Sequence, residues 1–134
     1  MTPKEFFEKD HFAAQSGIKL IEIKKGYGKA AVTITDKHLN AGNLTQGGVI
    51  FTLADLALAA AANSHGVLAV SLSSNITFLR SSGVGDILYA EAKERYKGRS
   101  TGFYQVEVTN QNGELIAALE SSIFCKNKAL PFQL

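Results

Sequence analysis

The stretch Gly47-Gly48-Val49-Ile50-Phe51-Thr52-Leu53-Ala54-Asp55-Leu56-Ala57-Leu58-Ala59-Ala60-Ala61-Ala62-Asn63 decides the fold. It predicts a helix from about Gly47 to Asn63, stopped near His65-Gly66. Apolar residues run almost all the way round it, so no solvent face can be drawn and burial on every side is implied. Its uninterrupted apolar run, Val49 to Ala62, is roughly 14 residues, short of the about 20 that cross a bilayer, and it contains Asp55. This is a core helix. A flat sheet covers only one side of such a helix. The sheet must therefore curve round it, a second subunit must cover what is left, or both.

Working outward, His38-Leu39-Asn40-Ala41-Gly42-Asn43-Leu44-Thr45-Gln46 is a polar loop aimed at the helix N-terminus. Before it, Ile18 to Lys24 and Lys29 to Thr35 are rich in β-branched residues and read as strands joined by a turn at Lys25-Gly26-Tyr27-Gly28. Further upstream, Thr2-Pro3-Lys4-Glu5 combines a cap hydroxyl, a first-turn proline and a capping-box glutamate, predicting a short helix to about Ala14, with Gly17 beyond it. After the core helix, about Val70 to Leu79, Asp86 to Tyr96, Gly102 to Thr109 and Glu114 to Cys125 read as strands. The last three form an antiparallel meander through the turns Lys97-Gly98-Arg99 and Asn110-Gln111-Asn112-Gly113. In Val70 to Leu79, Ser71, Ser73, Asn75 and Thr77 alternate with Leu72, Ile76 and Phe78, setting a polar face against an apolar one. The tail from Lys128 reads as irregular. The class is α+β: a curved antiparallel sheet around one long central helix, with a short N-terminal helix, in one domain over residues 1–134.

Composition agrees and excludes several functions. With 134 residues, 46% hydrophobic and 19% charged, the chain is one domain that can bury a core without disulfides or a structural metal. A net charge of +2 with no basic cluster is too mild for a nucleic-acid partner. Cys125 is the only cysteine, so no intramolecular disulfide forms and a reducing, cytoplasmic home is expected. The opening MTPKEFFEKDHF lacks the apolar stretch of a secretory signal, and no membrane partner is expected.

Asp55 demands an explanation, because a carboxylate buried among Leu53, Ala54, Leu56 and Ala57 costs several kcal/mol without partners. It reads as a nucleophile or general base at a buried interface, or as the exposed edge of the helix. Gly47-Gly48 starts the same helix, where free N–H groups and the positive end of the dipole make a candidate oxyanion hole or simply a flexible junction. Gly48 and Asp55 share a face but lie roughly 10 to 11 Å apart along the axis at about 1.5 Å per residue. If both act on one carbonyl, a second antiparallel helix must supply one of them, which implies an isologous dimer. Cys125 reads as a packed thiol, His11, His38 and His65 lack metal-ligand spacing, and no dinucleotide or phosphate-loop fingerprint is present. Arg80, Lys97 and Arg99 border turns and are candidates for phosphate contacts or ordinary solvated charges.

His38-Leu39-Asn40, Gln46-Gly47-Gly48-Val49-Ile50-Phe51-Thr52-Leu53-Ala54-Asp55 and Asn63-Ser64 together resemble the signature of the hotdog-fold acyl-CoA thioesterases, most closely the phenylacetate-degradation (PaaI-like) branch. The likeness extends from about Ile18 to Phe124, including Asn75-Ile76-Thr77 and Lys97-Gly98-Arg99-Ser100. It implies a sheet wrapped round one helix, dimers with two helices side by side, and commonly tetramers. By the same resemblance Asp55 is the catalytic carboxylate, the Gly47 amide polarises the thioester carbonyl, Asn40 positions substrate or water, and Ser71 assists Asp55. Gly48, Ser73, Phe78, Arg80, Ser82, Lys97, Gly98, Arg99 and Ser100 match regions that hold substrate and coenzyme A. Gln46 stands where family members usually carry His; it can orient a group but cannot titrate near neutral pH. The implied reaction is hydrolysis of an acyl-CoA thioester to acid and free thiol, with no cofactor beyond the substrate's own coenzyme A. A non-catalytic acyl-CoA binding or sensing module is the alternative, and a dehydratase ranks last for want of a His paired with the acid.

Overall fold

The computed structural model describes residues 1–134. Its elements are α1 (Pro3–Phe7), α2 (His11–Gln15), β1 (Lys19–Lys24), β2 (Tyr27–Thr33), a 3-10 turn (Asp36–His38), α3 (Gly47–Asn63), β3 (Val67–Phe78), β4 (Ile87–Lys97), β5 (Thr101–Thr109) and β6 (Leu115–Ala129). The strands make one six-stranded antiparallel sheet in the order β1-β2-β4-β5-β6-β3, wrapped round α3 as the hotdog architecture requires. No helix is long and apolar enough to cross a membrane.

The core is where α3 meets the sheet. Leu53, Ala54 and Ala57 on the helix and Ala30, Leu88, Ala90 and Val106 on the strands are all 0% exposed. Small side chains let the helix sit close, and Gly28 takes this furthest: a Cβ there would lie 2.4 Å from the Ala57 carbonyl oxygen. Gly28 is thus a strand residue paired with Ala92, and the turn is only Lys25-Gly26, where Gly26 supplies the positive φ of 73°.

Two other boundaries differ from the sequence reading. The N-terminal helix is two helices. Thr2 and Glu5 form the expected capping box, but Asp10 restarts the chain by accepting from the Ala13 N–H at 3.1 Å, an alternative to continuing α1. At the other end, β3 begins at Val67 and β6 runs on to Ala129, so the tail from Lys128 is partly strand. The Asn63 side chain anchors this extension by accepting from the Ala69 N–H at 2.8 Å and donating to the Ala69 carbonyl at 3.3 Å.

β3 also breaks its alternation. A bulge between Ser71 and Ser73 puts Ser71, opposite the buried Ile123, on the concave side with Ser74, Ile76 and Phe78, while Ser73, Asn75 and Thr77 face outward. Ser71 and Ser73 therefore do not share the single polar face that a strict period of two predicted.

The two sheet edges contrast. β1 is short, bulged and carries Lys19, Glu22 and Lys24, the usual protection of an edge strand. β3 has 12 residues and no charge, with Val70, Leu72 and Phe78 exposed. Nor is α3 buried on every side in the single chain: Gly48, Phe51, Thr52, Asp55 and Ala59, at helical spacing, form a stripe that the sheet leaves open.

Candidate active site

The N-terminus of α3 opens onto a groove of about 270 Å³ lined by Asn40, Gly47, Ile50, Phe78, Arg80 and Ser82, among others. Two of the first-turn amides of the helix are occupied by Gln46. Gln46 is the N-cap residue; its side-chain oxygen accepts from the Gly48 N–H and its carbonyl from the Val49 N–H at 3.0 Å. The Gly47 N–H donates to nothing in the chain. The Gly47 amide is thus a free backbone donor facing the groove from the positive end of a helix of 17 residues.

Each neighbour of that amide has a local reason for its place. The Asn40 side-chain oxygen accepts from the Gly42 and Leu44 N–H groups at 2.9 and 3.1 Å, folding the loop back and leaving its NH₂ as the uncommitted end. Ser82 is 6% exposed and its hydroxyl donates to Thr45 at 2.7 Å, so it clasps the loop to the strand end and has no spare proton for a ligand. Arg80 pairs with Glu114 at 3.2 Å in an exposed contact of the kind that costs little to break. Phe78 packs over Gly47, where a Cβ would lie 3.1 Å from its ring.

Asp55 sits midway along the open stripe of α3. It is half-buried, no hydrogen bond or ion pair within the chain reaches it, and burial pushes its carboxyl above the usual aspartate range, with the negative charge of Asp10 adding to the effect. Asp10 was not legible as a neighbour, because a continuous N-terminal helix would carry it elsewhere; its signal was the cap-type residue before Phe12-Ala13-Ala14. Ser71 faces the same side of the sheet as α3, and Ser73 points away from it.

The remaining residues lie at the other end of α3. Lys97, Arg99 and Ser100 line a cleft of about 480 Å³ with Ala62, His65 and Lys126, and none of the three basic side chains is ion-paired. Gly98 lies under Tyr96, whose hydroxyl would be 2.7 Å from a Cβ, and so shapes the turn. Unforeseen here is a half-buried network. Tyr104 donates to Glu94 at 2.7 Å and His65 lies 2.7 Å from the same oxygen; burial alone would raise the Glu94 carboxyl, but these hydrogen bonds hold it below the usual range. His38 is also spoken for, its Nδ1 accepting from the Thr35 N–H at 2.9 Å and its Nε2 donating to the Ser16 carbonyl at 2.7 Å. It does not stand in for the histidine that Gln46 replaces.

In one chain, then, the free amide and the carboxylate share a helix, and the basic turn is a helix length away from the amide.

Comparison with known proteins gives this arrangement its family. A family model described as the thioesterase superfamily matches residues 42–117. The acyl-coenzyme A thioesterase PaaI of Escherichia coli is 39% identical over 111 residues, 83% of this chain and 79% of that protein. The structure of the E. coli PaaI protein, from the phenylacetic acid degradation operon, matches with a TM-score of 0.90 at 34% identity, covering 94% of this chain and 91% of the other. The smu.793 protein of Streptococcus mutans, solved bound to acetyl-CoA, matches with a TM-score of 0.79 at 32% identity, over 84% of this chain and 90% of that one. The family model spans more than half of the chain, and the chain belongs to the thioesterase superfamily, in its PaaI-like branch.

Proposed function

We propose that this protein hydrolyses an acyl-CoA thioester to a carboxylic acid and free coenzyme A, in a site shared between two copies of the chain. The observation that carries the reading is the unpartnered Gly47 amide at the head of the helix whose open stripe holds the unpaired Asp55. A thioester carbonyl needs an oriented nucleophile and a donor placed where its oxygen becomes negative. Asp55, a stronger base for its burial, either attacks the carbonyl carbon or takes a proton from the water that does. The Gly47 N–H receives the developing oxyanion, and collapse expels the coenzyme A thiolate, which is protonated to the free thiol; where Asp55 is the nucleophile, this leaves an acyl–Asp55 anhydride that water then cleaves to the acid and the free carboxylate. Relatives support the substrate class: one is an acyl-coenzyme A thioesterase and another was solved with acetyl-CoA.

The need for two copies follows from the helix. Gly47 and Asp55 lie roughly 12 Å apart along one axis at about 1.5 Å per residue, too far to meet at one carbonyl. Pairing α3 antiparallel with a second α3 about a two-fold axis near Phe51 brings the Asp55 of one copy level with the Gly47 of the other. Gly48, Thr52 and Ala59 keep the stripe small enough for close approach, and the uncharged β3 edge is free to pair alongside. The same operation brings the Lys97-to-Ser100 turn of one copy toward the Arg80 groove of the other, gathering positive charge for the phosphates of coenzyme A.

The test is thiol release from short, long and aromatic acyl-CoAs, run beside Asp55→Ala. Turnover in the variant should fall at least about a hundredfold with folding intact, as for loss of an essential base or nucleophile. Near-normal turnover would remove Asp55 from the mechanism.

A further inference from the structure

The free Gly47 amide is aimed by the residue before it, and that residue is tied to a histidine. The Gln46 N–H donates to the His38 carbonyl at 2.8 Å, and the Asn40 N–H donates to the Leu44 carbonyl at 2.7 Å. Leu39 and Thr45 pair between these two rungs. The loop is therefore a small antiparallel arm, His38 to Asn40 on one side and Leu44 to Gln46 on the other, with α3 leaving from its base. One side is anchored at Thr45, whose N–H donates to the Ser82 carbonyl at 2.9 Å and whose hydroxyl accepts from the Ser82 hydroxyl at 2.7 Å. The other side is anchored by the His38 ring. His38 is 8% exposed; its Nδ1 accepts from the Thr35 N–H at 2.9 Å and its Nε2 donates at 2.7 Å to the Ser16 carbonyl, 22 residues away. A backbone N–H only donates and a carbonyl only accepts, so both bonds are made by the neutral ring with its proton on Nε2. The Thr35 bond lies within the 3-10 turn, and the Ser16 bond ties that turn to another part of the fold. Around them is a polar cleft of about 480 Å³ lined by Gln15, Ser16, Thr33, Asp36 and Lys37, among others, with Val49 of α3 as its one hydrophobic residue. On this side the turn is fixed by hydrogen bonds through His38 rather than by apolar packing.

We propose that His38 is a positioning residue for the Gly47 amide: by bridging Thr35 and Ser16 its ring holds the base of the arm, and through the His38 carbonyl and the Gln46 N–H it sets where the free donor points. The inference rests on the reading of Gly47 as the oxyanion donor. Such a donor acts only within hydrogen-bond reach of the developing charge, and a displacement of about 1 Å can cost about 10²-fold in rate. His38 needs no contact with substrate for this, since both ring nitrogens are occupied within the chain. Asn40 depends on the ring less, because its side chain is held by the Gly42 and Leu44 N–H groups of its own loop. The effect of the ring therefore converges on Gln46 and the amide that follows it.

The test separates the two bonds of the ring. His38→Asn keeps an acceptor for the Thr35 N–H at the place of Nδ1 and loses the donor to Ser16, whereas His38→Gln carries an amide N–H out to the place of Nε2 and keeps that donor. His38→Asn should lower kcat at least about tenfold with KM within about twofold, and His38→Gln should restore kcat to within about threefold of the wild type. Hydrogen exchange at the Gln46 amide reads the rung to His38 without substrate; it should speed up at least about tenfold in His38→Asn and return toward the wild-type rate in His38→Gln. In a Gly47→Pro background, which has no N–H to aim, His38→Asn should cost nothing further, whereas a general loss of structure would lower the remaining activity again. Unchanged exchange at Gln46, or losses that simply add to those of Gly47→Pro, would overturn the role of His38. If Gly47→Pro alone keeps wild-type turnover, the oxyanion reading of Gly47 is what fails and the positioning role falls with it, while exchange at Gln46 still reports whether the ring holds the arm.

Discussion

A shared site makes a sharp demand on mixed dimers. The perturbation pairs Asp55→Ala with Gly47→Pro, which deletes the free N–H and little else. Proline is welcome at the first position of a helix, and Gln46 already has the extended φ of −66° and ψ of 133° that a residue before proline needs. The Gly47 amide donates to nothing, so no intrachain hydrogen bond is lost. A side chain at position 47 meets the Phe78 ring at 3.1 Å, and that ring, 51% exposed, can turn aside. Removing one oxyanion donor costs about 2.7–4 kcal/mol, so Gly47→Pro alone should lose about 10²–10³ in kcat while melting close to the wild type. Mixed with Asp55→Ala under subunit exchange, each heterodimer has one site with both groups intact and one with neither. Statistical exchange makes half the dimers mixed, so thiol release should recover to about a quarter of wild type from two nearly inactive parents. A mixture that stays at the mean of its parents, with heterodimers demonstrated by mass, would refute the shared site and force Gly47 and Asp55 of one chain to act separately.

Three further outcomes follow from the same geometry. Asp55→Asn should lose activity yet gain thermal stability. The folded-state pKa of Asp55 is raised, so wild-type stability falls as pH rises from the ordinary aspartate pKa through the folded value, and the variant, lacking that loss, should lead by a margin that grows across this window and vanishes below it. Gly28→Ala should place a methyl 2.4 Å from the Ala57 carbonyl oxygen and push α3 off the sheet; overpacking of this kind costs about 1–3 kcal/mol, read as a Tm lower by about 4 °C or more. Val70→Lys with Leu72→Lys charges an edge that is otherwise neutral over 12 residues, and sedimentation should show monomers whose thiol release is lost with the dimer.

What the sequence made legible follows from how local each signal is. The core helix was readable to the residue because its apolar run, its glycine start and its His65-Gly66 stop are all contiguous. The strands of the meander were readable for the same reason, each lying between turn residues. Misread features depend on contacts remote in sequence. Gly28 looks like half of a Gly-Tyr-Gly turn until the Ala57 carbonyl is seen beneath it, and β3 seems to alternate cleanly until β6 imposes its register. Val67 and Ala129 are a strand pair that no local propensity announces.

The candidate site divides along the same line. Asp55 and Gly47 could be singled out in their own stretches, one as a lone acid in an apolar run and the other as a glycine at a helix start, whereas Asn40, in a polar loop, was marked only by the family resemblance. Whether a side chain is free is a different question, answered only by its partners: Ser82 is spent on Thr45 and Gln46 on the Gly48 amide, although both read as available. Three features stay unsatisfied in a single chain: an amide with no acceptor, a carboxylate with no donor, and a long neutral edge. Folding of one chain gains nothing from any of them, since an unpaired half-buried carboxylate is a cost and an unprotected edge is a hazard. The antiparallel pairing of α3 proposed above would engage all three together, by facing the amide with the other copy's carboxylate across a bound thioester and by continuing the sheet. That economy is the reason to look for the chemistry between two chains.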